Sequence, residues 1–314
     1  MFKLSRCSIG VLMRLSGGPN LTRVENGRTP PKKYLHDFTY HGQELSVTEA
    51  KNVLFQYLDN NGSVDLEKDA NGIAKIRLNN PRIKNAVNVK MLSDLEDITE
   101  KLSQWTECKG AIMYGTDGNF CSGGDLKVAK KINNAFYGYA MSIYVGHILD
   151  KFKTLPIITV AYIDGTGAIG GGAEITTACD YRLMCNAVDT TAIGFVHSRM
   201  GIVPAWGATG RLASIIGTRK TLKLLLESRR LSAAEAMELG LVDGVVATLA
   251  DAEAWLSRKV KPDVNIIQAI KRTVQCYENS QEATRMLESK IFAPLWGGPA
   301  NQAAIERHMK HKNK

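Results

Sequence analysis

Along residues 43–58 the apolar positions suit a short helix, which Asn60 to Ser63 then break. After Asn71 and Gly72, the run Ile73-Ala74-Lys75-Ile76-Arg77-Leu78 alternates as a half-buried strand does. A helix is expected over 90–105, where Met91, Leu92, Leu95, Ile98 and Leu102 recur at helical spacing. Strands expected at 111–114 and 157–163 flank a helical stretch over 128–152. The second of these strands is nearly all apolar, the pattern of a strand covered on both faces. Strand, helix, strand, helix, strand in succession predicts an α/β protein with crossover connections. Beyond Trp206 the pattern turns mostly helical, with helices expected at 208–216, 218–226 and 233–239, a short strand at 241–246 and a helical tail. No internal repeat or low-complexity block interrupts it.

Composition adds little to this picture and charge adds more. With 44% hydrophobic and 23% charged residues, the 314-residue chain has the makeup of an ordinary globular protein, long enough for one large domain. Its net charge of +9 suggests an acidic partner until it is located. Residues 1–33 carry seven Lys and Arg against Glu25 alone, and residues 307–314 add four more, so the middle of the chain is close to neutral. That distribution argues against a nucleic-acid-binding face on the folded body. The longest apolar runs are too short to span a bilayer. The expected organisation is a basic leader over 1–45, a core domain over 46–255 and a helical C-terminal region over 256–314. The Arg- and Ser-rich, acid-poor start reads equally as a mitochondrial transit peptide or as a leader with no address. Six scattered cysteines, with no CxxC pair and no spacing suited to zinc, fit free thiols, and no metal is expected.

The chemistry concentrates in two glycine loops, Phe120-Cys121-Ser122-Gly123-Gly124-Asp125-Leu126 and Gly165-Thr166-Gly167-Ala168-Ile169-Gly170-Gly171-Gly172-Ala173-Glu174. Each follows an apolar strand and opens a helix, so each presents free N–H groups where negative charge is favoured. Either alone reads as easily as a plain turn. Phosphate binding is the weaker functional choice, because no Lys-Ser or Lys-Thr closes the second loop. Two such loops can aim two N–H donors, from Gly124 and Gly171, at one oxygen. Removing one oxyanion donor typically costs roughly 3–4 kcal/mol of transition-state stabilisation.

These loops, together with Leu78-Asn79-Asn80-Pro81-Arg82-Ile83-Lys84-Asn85-Ala86 and Gly201-Ile202-Val203-Pro204, resemble the enoyl-CoA hydratase/isomerase (crotonase) superfamily over about residues 70–280. The resemblance implies a spiral of ββα units with a helical C-terminal trimerisation region, assembled as a homotrimer or homohexamer. It implies an acyl-CoA thioester substrate whose coenzyme A is part of the substrate, no further cofactor, and an oxyanion hole at Gly124 and Gly171. It also implies that Lys84, Asn85, Ala86, Ser122, Gly123, Asp125, Leu126 and Gly170 line the thioester and coenzyme A site. Three further stretches, Thr176-Thr177-Ala178-Cys179-Asp180, Phe195-Val196-His197 and Trp296-Gly297-Gly298-Pro299-Ala300-Asn301, are similar to members that decarboxylate 2-alkylmalonyl thioesters in cytosolic metabolite repair.

Hydratases of the superfamily use two glutamates. Here the first is Glu174 and the second position reads His197, which puts hydration in doubt. Loss of CO2 needs an enolate-stabilising site and a proton donor, and a second enzyme carboxylate would repel the substrate's own. An imidazole removes that repulsion. Packing explains His197 as an alternative, and the helix dipole alone accounts for an acid at Glu174. Trp206 is expected either to shape the pocket for a short 2-alkyl branch or simply to fill the core. Cys121, lacking an evident His partner, reads as packing. An enoyl-CoA isomerase or hydratase is the competing enzyme. An inactive crotonase-fold protein that binds RNA or protein through its basic ends is the competing non-enzyme.

Overall fold

The computed structural model describes residues 39–187, 190–275, 289–290 and 292–311. The leader expected over 1–45 falls mostly outside them. Its last residues are already part of the fold, since Tyr40 N–H donates to the Lys290 carbonyl at 2.7 Å and Tyr139 donates to Glu44 at 3.0 Å.

The chain enters helix α1 (Val47–Phe55) through a capping box of Ser46 and Glu49, then forms β1 (Ser63–Lys68) and β2 (Ile73–Asn79). Helix α2 (Val89–Ser103) starts where Asn88 caps the Met91 N–H, and buries the apolar face that its spacing predicts. Strand β3 (Gly110–Gly115) leads through the first glycine loop to α3 (Leu126–Lys131) and α4 (Ala135–Lys153). The single helix expected over 128–152 is therefore two. Asn134 accepts from the Tyr137 N–H and starts a new helix after Ile132. Strand β4 (Ile158–Ile163) leads through the second loop to β5 (Ala168–Ile169) and α5 (Gly171–Thr176). Strands β6 (Tyr181–Cys185) and β7 (Ile193–Gly194), helices α6 (Ala208–Ile216) and α7 (Thr218–Glu227), β8 (Arg230–Leu231), α8 (Ala233–Leu239) and β9 (Gly244–Val246) follow. Helices α9 (Leu249–Lys259) and α10 (Val264–Gln275) and a last helix, Pro299–His311, complete the described residues.

The main sheet has the order β1-β2-β3-β4-β6-β9, parallel throughout except for β1. After each central strand the chain steps into a second row of short pairings. Val87 bridges Gly124, Cys121 bridges Ala168, and β5 pairs with β7. The repeat of long strand, short strand and helix is the ββα spiral. Alternate residues of β3 and β4 face opposite ways. Ala111, Met113, Ala161 and Ile163 join the larger core, whereas Ile112, Val160 and Tyr162 join a smaller one with Leu256 of α9 and Ile267 of α10. Both faces of the sheet are thus covered, and both glycine loops lie beyond the C-terminal strand ends, where α/β sheets commonly bind ligands.

Five strands escaped the pattern, three of them the two-residue β5, β7 and β8. Strand β1 is mostly polar, and β6 carries Arg182, whose buried guanidinium meets the Leu241, Cys179 and Asp180 carbonyls and Asp243. Of the strand expected at 241–246, only Gly244–Val246 pairs.

An ion pair between a buried lysine and a half-buried aspartate ties α10 to the sheet. Lys271 Nζ donates to the Ile157 carbonyl at 2.6 Å and to Asp180 Oδ2 at 2.7 Å. Because Asp180 keeps its bonds from Thr159, Lys271→Met should lower stability by about 3 kcal/mol in urea denaturation. An unchanged midpoint would show that the pair contributes nothing net.

Candidate active site

Pairing between the short strands builds the site. In the parallel register Ala168 lies opposite Ile193 and Ile169 opposite Gly194. The Gly170 N–H donates to the Gly194 carbonyl at 2.8 Å. Helix α5, starting at Gly171, and the 3-10 turn His197–Met200 therefore begin side by side. Asn301 supports that turn, its amide donating to the Met200 carbonyl at 2.9 Å.

The two glycine loops are stitched directly together. The Cys121 N–H donates to the Gly167 carbonyl at 3.1 Å, and the Ile169 N–H donates back to Cys121 at 3.0 Å. A Cβ on Gly172 would stand 2.3 Å from the Cys121 carbonyl oxygen, so only glycine permits this approach. A Cβ on Gly123 would stand 3.5 Å from the Gly171 nitrogen. Among the described residues neither the Gly124 nor the Gly171 N–H meets an acceptor, and both residues keep some exposure.

Over this junction lies the ring of Trp206. A Cβ on Gly171 would fall 2.3 Å from its Cζ3, and a Cβ on Gly124 would fall 3.9 Å from its Cη2. One indole thus spans both loops. Its own N–H backbone group donates to Glu174 Oε2 at 2.8 Å, while Glu174 Oε1 lies 2.8 Å from His197 Nε2. Glu174, His197 and Trp206 are all buried, and His197 Nδ1 has no partner among the described residues. The two positions that the sequence marks for acid–base chemistry are therefore one hydrogen-bonded unit.

The residues expected to cradle coenzyme A divide into two kinds. Lys84 is exposed, and its carbonyl accepts from the Ser122 N–H at 3.0 Å, while Ser122 Oγ donates to Ile83 at 2.9 Å. Val87 N–H donates to the Gly123 carbonyl, and Asp125 N–H donates to Val87, each at 2.8 Å. The Asn85 side chain, by contrast, is engaged inside the protein. Its Oδ1 accepts from the Asn80 N–H at 2.8 Å and its amide donates to the Thr116 and Asn119 carbonyls. The main-chain N–H of Asn85 is engaged as well, donating to the Asn80 carbonyl at 2.9 Å, and the residue is fully buried. Asp125 accepts from the Lys127 N–H at 2.7 Å as the cap of α3, whose first residue is the half-buried Leu126. Ala86 is buried, and its carbonyl accepts from Asn80. Asn119, unmarked by the sequence, joins the loops, because its Oδ1 accepts from both the N–H and the hydroxyl of Thr166.

Cys121 is a packing residue in this geometry. Burial pushes its thiol up to about 12, and it donates weakly to the Gly123 carbonyl. Burial also pushes the carboxyl of Asp164, at the start of the second loop, up to about 6. Among the described residues no group of three or more His, Cys, Asp and Glu side chains is placed to hold a metal, and no helix is long and apolar enough to cross a membrane.

The model of the enoyl-CoA hydratase/isomerase family matches residues 68–312. The chain belongs to that family. The match reaches beyond the 70–280 span of the resemblance and takes in the last helix. Among the relatives of this enoyl-CoA hydratase/isomerase chain, the ethylmalonyl-CoA decarboxylase of Mus musculus is 42% identical over 281 residues, spanning 87% of this chain and 84% of that protein. The ethylmalonyl-CoA decarboxylase of Xenopus laevis is 40% identical over 258 residues, spanning 80% and 85%. Among solved structures, the enoyl-CoA hydratase from Bacillus halodurans superposes with a TM-score of 0.70 at 23% identity, covering 78% of this chain and 99% of that one, which establishes the fold.

The contact between Gly171 and the indole is directly testable. Gly171→Ala overpacks the junction and should cost about 1–3 kcal/mol, and Trp206→Ala should cost about 3–5 kcal/mol. The double variant should cost clearly less than the sum in urea denaturation, because the new methyl enters the space the ring leaves. Strict additivity would contradict the contact.

Proposed function

We propose that this chain is a carboxy-lyase that removes CO2 from 2-alkylmalonyl-CoA thioesters. It takes ethylmalonyl-CoA to butyryl-CoA and, more slowly, methylmalonyl-CoA to propionyl-CoA. The observation that carries this reading is the buried contact of Glu174 with His197 at 2.8 Å, in place of two separate acids. The decarboxylase relatives at about 40% identity support the reaction class.

In this reading the bond from C2 to the carboxylate stands perpendicular to the thioester plane. It breaks, its electron pair enters the C1–C2 bond, the carbonyl oxygen takes the negative charge and CO2 departs. The Gly124 and Gly171 N–H groups donate to that oxygen, and each is worth roughly 3–4 kcal/mol in the transition state. The enolate then takes one proton at C2. His197, held through Nε2–H by Glu174, carries that proton on Nδ1, and solvent restores it afterwards. Glu174 does not repel the substrate carboxylate, because its oxygens face His197 Nε2 and the Trp206 N–H. The Trp206 ring bounds the space for the 2-alkyl branch and keeps water from the enolate.

Coenzyme A enters this reading as part of the substrate, with no other cofactor. Exposed Arg82, Lys84, Lys127, Lys130 and Lys131 stand on the paired segments around Lys84 and Ser122 and supply cations for its phosphates. Assembly as a homotrimer or homohexamer is supported by exposed Leu222 and Leu226 on α7 and by Ile266, Ile270 and Val274 on α10, apolar stripes at helical spacing. Removal of a malonyl-type side product in the cytosol is the cellular use this reading assigns. Imaging the chain with and without residues 1–33 separates that from import into mitochondria.

Purified protein should release CO2 from ethylmalonyl-CoA and methylmalonyl-CoA without added metal, biotin or nucleotide, and should leave 2-enoyl and 3-enoyl thioesters unchanged. Intact malonyl-type substrate after long incubation, with turnover of an enoyl thioester, would return the chain to hydration or isomerisation. Within the decarboxylase, His197→Ala should lower kcat by roughly 10²–10⁴-fold, the usual contribution of a positioned proton donor. Unchanged kinetics in that variant would reduce His197 to packing.

A further inference from the structure

We propose that Arg211 is a positioning residue for this site, holding Glu174 and the Trp206 ring in the geometry the reaction needs. The inference rests on the carboxy-lyase reading and concerns a residue outside the groups that meet substrate.

Arg211 sits where a cation is costly. It lies just inside the N-terminal end of α6, the end of the helix that favours negative charge, and it is 1% exposed. Its side chain turns back over Gly207, whose φ is +81° and where a Cβ would stand 2.5 Å from Nη1. Glycine there is what lets the guanidinium reach the segment before its own helix. The planar fork then meets three elements. Nη2 donates to the Trp206 carbonyl at 2.5 Å, Nε donates to Thr177 Oγ1 at 2.9 Å, and Nη1 lies 3.3 Å from Asp150 Oδ1 on α4.

These bonds close a ring. Thr177 Oγ1 donates to the Glu174 carbonyl at 2.6 Å, Glu174 Oε2 accepts from the Trp206 N–H, and the Trp206 carbonyl accepts from Arg211. Glu174 is therefore gripped at its main chain through Thr177 and at its side chain through Trp206, with Arg211 joining the two grips. The Trp206 peptide is fixed on both sides, which sets where its ring lies over Gly171. A single ammonium cannot donate in these three divergent in-plane directions.

The test replaces Arg211 by lysine in the full chain labelled with 5-fluorotryptophan, whose Trp206 resonance is assigned by its loss in Trp206→Phe. Arg211→Lys should lower kcat on ethylmalonyl-CoA roughly tenfold or more while leaving KM within about threefold, since small displacements of reacting groups are expensive. The Trp206 fluorine resonance should shift or broaden, with those of Trp105, Trp255 and Trp296 in place. Wild-type kcat with an unmoved Trp206 resonance would overturn the proposal. If the lysine variant does not fold, Thr177→Ala cuts the ring while keeping the guanidinium's other partners. It should move the same resonance and lower kcat less, and no movement there would overturn the proposal equally. Should the wild-type protein turn over no malonyl thioester, the carboxy-lyase reading fails, and the fluorine spectra still decide whether Arg211 positions Trp206.

Discussion

A single carboxylate organises this site. Glu174 places one oxygen against His197 and the other against the main chain of Trp206, so three segments that are distant in sequence share one buried group. A buried carboxylate costs several kcal/mol unless its oxygens are bonded, and here both oxygens have a partner. If the imidazole is withdrawn, Glu174 Oε1 loses its 2.8 Å contact. If the Trp206 N–H is withdrawn, the indole over Gly171 loses its anchor. The fold accommodates the arrangement because β5 pairs with β7 in a register that starts α5 beside the turn holding His197.

The same arrangement separates the chemistry proposed here from the addition of water. Hydration asks two acids to share a water and a proton, each with an oxygen free to act. In this chain the only acid of that pair is turned onto partners, and beside it lies a buried imidazole nitrogen without a partner among the described residues. A substrate that carries its own negative charge gains from that exchange. The two glycine N–H groups serve either reaction, because both pass through an enolate. In the proposed reaction the residues beside Glu174, not these N–H groups, make the difference.

Much of this was readable in the sequence, and the exceptions have physical causes. The glycine loops announce themselves because a close approach such as that of Gly172 to Cys121 admits no side chain. Helices α6 and α8 match their expected bounds because their apolar spacing is regular. Strand β6 was hidden by Arg182, a charge inside a strand that only its carbonyl partners make tolerable. The inward turn of the Asn85 side chain is not legible either, since a sequence does not say whether a polar residue bonds to its own loop. Arg211 gave a signal that passed unread. It lies on the same helical face as Ala208, Leu212 and Ile216, so the periodicity already placed it inside.

In the proposed reaction the enolate is formed and protonated while held between the glycine N–H groups and the Glu174–His197 pair. This is tested most directly by running the decarboxylation of ethylmalonyl-CoA in D2O and determining the configuration at C2 of the butyryl-CoA produced. A donor fixed on one side of a held enolate predicts one deuterium in a single configuration. An equal mixture of both configurations from the wild-type enzyme would mean that the enolate is protonated free in solvent, and would contradict the account.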